Sequence, residues 1–152
     1  MDIPFVERVK IQAQVLVPLV KALRAELGEE RANELVKGVW DDMNRSFGKR
    51  WWQQQSEESP NGRLKTLIET FAAGDALDYE MTADDEASFD FDVHRCGYAE
   101  FFKKIGEPEL GFLFCCSADA PMTEGFEAGV ELEVPQTIMQ GATHCQFRYK
   151  LK

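Results

Sequence analysis

The chain has 152 residues, a length that predicts a single domain, residues 1–152, with a sizeable buried core. Its net charge of −10, contributed almost wholly beyond residue 75, disfavours binding to nucleic acids and to anionic membrane surfaces. The opening Met-Asp-Ile-Pro-Phe-Val-Glu-Arg has no basic start followed by an apolar run, and no stretch reaches the roughly 20 apolar residues of a membrane span, so a cytoplasmic protein is expected.

The first part of the chain, residues 1–75, has the apolar spacing typical of helices. Apolar residues recur every three or four positions across residues 3–27 and again across about 29–54, and a third, shorter pattern ends near Gly74. Pro18 lies inside the first pattern and is expected to kink that helix or to split it in two. We therefore predict three helices in this part.

Three tryptophans lie in the second predicted helix. Large aromatic side chains at helical spacing are typical of core packing, so we expect them in the hydrophobic core. A ligand pocket lined by indole rings is the alternative. The residues are Trp40, Trp51 and Trp52.

The second part of the chain, residues 76–152, shows the alternation typical of β-strands. Apolar and polar side chains alternate in four segments, residues 77–81, 89–93, 130–134 and 145–151. The run Gln136–Tyr149 also has the appearance of two short strands joined at Gly141. We predict an α+β fold in which the N-terminal helices pack on a four-stranded, mainly antiparallel sheet, with a helical insertion between strands two and three.

All four cysteines and both histidines lie in this second part, and in a cytoplasmic chain the cysteines are expected to be reduced. Cys96 is the best candidate nucleophile. It lies where a strand becomes a helix, and the unpaired N–H groups and dipole at a helix N-terminus stabilise a thiolate. His94 or Asp119 would then manage the protons. The alternative is that Cys96 is simply a small buried hydrophobic residue.

The spacing of the histidines and cysteines argues against a metal site. His144 and Cys145 are neighbours on a strand and must point to opposite faces, and Cys115 and Cys116 are neighbours on a helix, about 100° apart. No Cys-x-x-Cys occurs, so we expect no zinc and no other cofactor. If the aromatic face of the last strand is core, Cys145 points inward and His144 points outward. The Cys115-Cys116 pair is expected to be two buried thiols rather than a vicinal disulfide.

Four segments of the second part, taken together in order and spacing, match a known pattern. They are Cys96-Gly97-Tyr98-Ala99, Gly106-Glu107-Pro108-Glu109-Leu110-Gly111, Cys116-Ser117-Ala118-Asp119 and Gln136-Thr137-Ile138-Met139-Gln140-Gly141-Ala142-Thr143-His144-Cys145. In these segments the chain resembles the L-2-amino-thiazoline-4-carboxylic acid hydrolase family. The resemblance covers roughly residues 77–150, and the N-terminal helices are compatible with it.

The resemblance implies a bacterial cytoplasmic hydrolase that opens a small sulfur-containing ring, a cyclic amidine bearing a carboxylate, to a carbamoyl-cysteine. The implied fold is similar to the small α+β ligand-binding domains of the vinyl-reductase-associated type. These tend to dimerise, so a homodimer is expected beside the small-molecule substrate. Such a reaction needs a water or a thiolate that attacks the amidine carbon. We assign the attack by a thiolate to Cys96 or Cys116 and the role of base to Asp119, which makes the candidate catalytic residues Cys96, Cys116 and Asp119. The candidate substrate-binding residues are Thr137, His144, Cys145 and Arg148.

The chain departs from the family pattern at two places. The pattern has Arg-Thr before the Gln-Thr pair, where this chain has Val134-Pro135, and an acidic residue after the His-Cys pair, where it has Gln146. Arg148 and Arg95 remain as partners for a substrate carboxylate. The departures suit an alternative function, a non-catalytic ligand-binding or thiol-sensing domain. A third hypothesis is a dimeric interaction domain without a small-molecule site.

Overall fold

The computed structural model describes residues 2–152, and its first half is a helical hairpin. Helix α1, Phe5–Leu27, packs against helix α2, Glu29–Gln54. Gly28 lies between them with a φ of +85°, a conformation that glycine adopts with little strain, and it lets the chain reverse direction.

Helix α3, Pro60–Ala72, completes the helical part. It begins after Ser59, whose hydroxyl accepts a hydrogen bond from the Gly62 N–H at 3.0 Å, and Pro60 occupies its first turn. The three helices predicted from the apolar spacing are present.

From the sequence, Pro18 was expected to kink helix α1 or to split it in two. The helix is not split there. Proline removes the hydrogen bond that would reach the carbonyl of Gln14. Both residues lie on the exposed side of α1, so water satisfies that carbonyl and the helix continues through the proline.

The second half forms a four-stranded antiparallel sheet in the order β1-β2-β4-β3, which confirms the α+β fold predicted from the sequence. The strands are β1, Leu77–Asp84, β2, Ser88–Cys96, β3, Glu131–Glu133, and β4, Cys145–Lys150. Apolar side chains of β2 and β4 share the inner face. Phe91 lies opposite Phe147, for example, with their rings stacked 4.8 Å apart.

The run Gln136–Gly141 is a turn, so the prediction of two strands joined at Gly141 is wrong for the first of them. The Gly141 N–H donates to the carbonyl of Ile138 at 2.9 Å, and the Ala142 N–H donates to that of Thr137 at 3.0 Å. Strand β3 has only three residues and ends before Val134. Pro135, which follows, has no N–H with which to extend the ladder.

The expected helical insertion between strands two and three is present and has four pieces. These are α4, Gly97–Lys104, α5, Pro108–Gly111, a π-helical turn, Phe112–Cys116, and α6, Asp119–Gly125. The π-helical turn is marked by the Ser117 N–H, which donates to the carbonyl of Phe112, five residues earlier, at 2.8 Å.

Two hydrophobic clusters make up the core and flank the functional site. One lies between α3, α6 and the inner face of the sheet, and the other joins α1 to α4, α5 and the π-helical turn. Partly buried side chains belong to both clusters, namely Phe71, Leu77, Cys96 and Ile138. In residues 2–152, no helix combines the length and the apolar character that a membrane crossing needs.

Candidate functional site

A cavity of about 370 Å³ lies between the helical hairpin, the inner face of the sheet and the helical insertion. This volume falls within the range of small-molecule sites. Most of its wall is apolar, with aromatic side chains that include Phe5, Trp40, Phe71, Phe91, Phe114 and Phe147. The clusters described above therefore enclose a space suited to a small ligand.

Five of the seven site residues predicted from the sequence line this cavity, namely Cys96, Cys116, Asp119, Thr137 and Cys145. They come from separate elements. Cys96 ends β2, Cys116 ends the π-helical turn, Asp119 begins α6 and Cys145 begins β4. Cys115 joins them, so all four cysteines, each a free thiol, line one cavity.

Cys115 and Cys116 line the same cavity although they are adjacent in sequence, and the turn that carries them is π-helical. Adjacent residues of an α-helix diverge by about 100°. A π-helical turn holds one more residue per turn, so adjacent side chains diverge less. The sequence predicted α-helical geometry here, in which these two thiols would point apart.

Asp119 is the chemically most distinctive group of the wall. Within residues 2–152 no hydrogen bond or ion pair reaches its carboxyl group, and Asp119 is a half-buried residue that lines the cavity. Burial raises the pKa of this carboxyl from 3.8 to about 7, because the ionised form loses its hydration. A carboxyl group with that pKa both accepts and donates protons near neutral pH.

The thiols lie in an environment that disfavours the thiolate. The Ala99 N–H donates to the Cys96 sulfur at 3.4 Å, so the predicted placement at the N-terminus of a helix is present. Burial nevertheless outweighs this hydrogen bond and raises the pKa of Cys96. Burial likewise raises the pKa of Cys145 to about 11, although the Ile138 N–H donates to its sulfur at 3.2 Å. Burial and the nearby Asp119 charge raise the pKa of Cys116.

Thr137 holds the turn that closes one side of the cavity. Its side chain is buried, with only 3% of the residue exposed. Its hydroxyl donates to the Gln140 Oε1 at 3.1 Å and accepts from the Gln140 N–H at 3.2 Å. In the ligand-free cavity its hydroxyl is therefore committed to the turn.

His144 and Arg148, the other two predicted binding residues, lie on the outer face of the sheet and do not line the cavity. The ring of His144 is 5.9 Å from that of His94, and the Arg148 guanidinium donates to the Asp92 carboxylate at 2.8 Å. Arg95 is also engaged, in ion pairs with the carboxylates of Asp75, Asp78 and Glu100. Strand alternation had already indicated that His144 and Cys145 face opposite ways.

The helical hairpin contributes a set of polar residues to the cavity that the sequence patterns did not reveal. Arg8 and Gln12 come from α1, and Asn44 and Arg50 come from α2. Three of them, Arg8, Gln12 and Arg50, are exposed and mark the mouth. In the sequence, polar residues on a helix indicate a solvent-exposed face. The only signal in the sequence was the four-residue spacing of Arg8 and Gln12, which places these two side chains on the same side of α1.

The tryptophans divide between the two roles considered for them. Trp40 lines the cavity, and its indole N–H donates to the carbonyl of Phe114 at 3.0 Å. Trp52 is core, stacked on Phe126 with the rings 4.5 Å apart, and Trp51 packs on the same ring from further away. The expectation of core packing therefore holds for two of the three.

Although four thiols and a carboxyl group share the cavity, no group of three or more His, Cys, Asp or Glu residues within residues 2–152 is arranged to hold a metal ion.

Comparison with known proteins gives a family match and several solved structures of similar fold. The sequence model of the L-2-amino-thiazoline-4-carboxylic acid hydrolase family matches residues 8–149. The fold is similar to the crystal structure of the phenol-responsive sensory domain of the transcription activator PoxR with phenol. The TM-score is 0.55 at 15% identity, over 90% of this chain and 73% of that chain. No curated protein matches the sequence.

Proposed function

The chain belongs to the L-2-amino-thiazoline-4-carboxylic acid hydrolase family, and on that basis we propose that it opens a small sulfur-containing cyclic amidine by hydrolysis inside the cavity. The observation that carries the proposal is the Asp119 carboxyl group. It lies in a largely apolar cavity, no side chain within residues 2–152 forms an ion pair with it, and burial raises its pKa to about 7. This is the kind of group that general acid–base catalysis needs at neutral pH.

The reaction consumes one water molecule for each ring opened. The water oxygen adds to the amidine carbon, which lies between nitrogen and the ring sulfur, while the Asp119 carboxylate takes a proton from the water. One ring bond of that carbon then breaks, and the departing atom takes the proton back from Asp119. The proton of the added hydroxyl moves to the former imine nitrogen as the hydroxyl becomes the carbonyl of the carbamoyl group. The product is an open-chain carbamoyl-cysteine, and the carboxylate is regenerated.

A thiol of the cavity offers a second route to the same product. Cys116 or Cys96 gives its proton to Asp119 and its sulfur adds to the amidine carbon; one ring bond of that carbon breaks, and the departing atom takes the proton from Asp119. Water then adds to the carbon bound to the cysteine, the carbon–sulfur bond to the enzyme breaks, and one water proton returns to the thiol as the carbamoyl product leaves. Because burial keeps both thiols protonated, this route requires the proton transfer to accompany the attack. Both routes need Asp119, and only the second needs a cysteine.

The test is ring opening of 2-amino-thiazoline-4-carboxylate and ring-substituted relatives, followed by mass spectrometry of the products. We expect Asp119→Asn to lower kcat by about 10²-fold or more, the usual size of an acid–base contribution. Glu58→Gln is the matched control, because Glu58 is exposed and does not line the cavity. A folded wild-type protein that opens none of these rings would overturn the proposal.

Cysteine variants separate the two routes. If Cys96→Ala and Cys116→Ala both keep their activity, water attacks directly. If one of them is inactive and the wild-type protein shows a covalent adduct by intact mass under rapid quench, that cysteine is the nucleophile. The two variants remove only a thiol each, so circular dichroism and thermal unfolding serve to confirm that they are folded.

A non-catalytic ligand-binding domain is the second candidate function. One structural neighbour is described as a phenol-responsive sensory domain, and the family's arginine and acidic positions are Val134 and Gln146 here. This candidate predicts that ligands of the cavity raise the unfolding temperature without being turned over. The same experiment, run with a thermal shift assay beside it, separates binding from catalysis.

A further inference from the structure

Two arginines from different helices flank the mouth of the cavity. Arg8 is in the second turn of α1 and Arg50 is near the end of α2, and both are exposed side chains that line the cavity. Helices α1 and α2 run in opposite directions from Gly28, and the two arginines lie at similar distances along the chain from that glycine. They are therefore level with each other at the open end of the hairpin.

Both arginines are available to a ligand. Within residues 2–152 neither forms a salt bridge or a side-chain hydrogen bond, whereas most basic side chains next to them are paired. Lys10 pairs with Glu7 and Lys49 with Glu127. These two guanidinium groups give the opening a local positive charge that attracts an anion.

The rest of the wall favours an apolar body. Asp119 is the one acidic residue among the described residues that line the cavity, and most of the others are aromatic or aliphatic. The volume of about 370 Å³ corresponds to roughly a dozen water molecules at about 30 Å³ each. That is more space than a bare five-membered ring with one amino and one carboxyl group fills.

We propose that Arg8 and Arg50 bind the carboxylate of an amphipathic acid whose apolar, ring-containing body fills the cavity. Guanidinium groups bind carboxylates through paired, charge-assisted hydrogen bonds, and Gln12 supplies a neutral donor beside them. The body of the ligand then extends toward Asp119. The end of the ligand near Asp119 is a cyclic amidine under the proposed function, and only this part of the inference rests on that function.

The experiment measures binding and needs no turnover. The probes are 3-phenylpropionate and its primary amide, which have the same apolar body and differ in the charge of the head group. Their dissociation constants are measured by calorimetry and by intrinsic tryptophan fluorescence, to which Trp40 in the cavity wall contributes, for the wild type, Arg8→Gln and Arg50→Gln. Arg31→Gln is the charge-matched control, since Arg31 is exposed on α2 and does not line the cavity.

We expect the wild type to prefer the carboxylate, and each mouth variant to weaken carboxylate binding about ten-fold or more while binding of the amide stays the same. Equal binding of the two probes by the wild type, or an equal loss in the Arg31→Gln control, would overturn the proposal. Neither result depends on catalysis. A protein that binds the acid through Arg8 and Arg50 but opens no ring would sustain this inference and overturn only the hydrolase proposal.

Discussion

The Asp119 carboxyl group binds its proton more tightly in the folded protein than in the unfolded chain, because folding removes it from water. Its pKa is about 7 when folded, against 3.8 for an aspartate side chain in water. The folded state therefore holds more protons than the unfolded state between these values, and its stability falls as the pH rises through this window. Keeping the ionised carboxylate buried lowers the free energy of unfolding. This loss is fully present above pH 7 and amounts to about 4 kcal/mol at most.

Asp119→Asn should therefore stabilise the protein at alkaline pH. The amide stays neutral, so the free energy of unfolding of the variant, relative to the wild type, should rise by up to about 3 kcal/mol between pH 5 and pH 9. Urea unfolding at the two pH values measures this difference. A pH-independent difference between variant and wild type would mean that the Asp119 carboxyl group stays well hydrated in the folded protein.

At the scale of single residues, the sequence predicted the direction in which a strand side chain points better than it predicted which residues surround the cavity. Alternation along β4 correctly placed Cys145 inside and His144 outside, because neighbouring residues on a strand must face opposite ways. It did not reveal that Arg8 and Arg50 border the cavity. That placement depends on how α1 and α2 pack, which no local pattern records.

Helices α2 and α6 approach each other at two glycines. A Cβ atom at Gly48 would lie 2.0 Å from the carbonyl oxygen of Met122, and one at Gly125 would lie 2.1 Å from that of Arg45. Both obstacles are backbone atoms, which cannot move aside as a side chain end does. The glycines therefore let α6, which carries Asp119, dock directly on α2.

Gly48→Ala should destabilise the protein by about 2 kcal/mol or more, since the added methyl group overpacks a backbone contact. Gly38→Ala is the matched control in the same helix. A Cβ there meets nothing within 4 Å, so alanine should stabilise the helix by about 1 kcal/mol. Thermal and urea unfolding of both variants would check this, and equal effects of the two substitutions would contradict the close approach.

At the scale of elements, the spacing of apolar residues predicts the long helices and the central strands. It does not predict the structure of the segments that connect them. The run Gln136–Gly141 has an extended-looking sequence, yet Thr137 and Gln140 bond to each other and close a turn. The π-helical turn Phe112–Cys116 has the apolar composition of an ordinary helix. Its extra residue is a response to packing, so no spacing rule could have predicted it.

The homodimer expected from the resemblance stays a prediction. The exposed apolar side chains of α1 and α2 form a candidate surface for this dimer. Large apolar side chains are exposed at four-residue steps on both hairpin helices, namely Ile11, Val15 and Leu19 on α1 and Leu35, Val39 and Met43 on α2. Two adjacent helices of this length present a face of roughly 700 Å², close to the roughly 800 Å² per partner of a stable interface. A second copy is the occupant that matches this area.

Sedimentation equilibrium should accordingly give a dimer for the wild type, and Val15→Glu combined with Val39→Glu should give a monomer. Because both side chains are more than half exposed, the substitutions should leave the folded monomer intact. A wild type that stays monomeric at about 100 µM, far above the dissociation constants usual for interfaces of standard size, would refute the dimer.

The cavity also determines how the protein responds to pressure. Unfolding removes the internal space of the cavity, so it should reduce the volume of the system, on the order of 20 to 100 mL/mol. A ligand such as 3-phenylpropionate that fills the cavity should make this volume change smaller. In fluorescence-detected pressure unfolding, the free energy would then depend less steeply on pressure. A ligand bound outside the cavity would raise the pressure at which half of the protein is unfolded, and it would leave the pressure dependence of the free energy of unfolding unchanged.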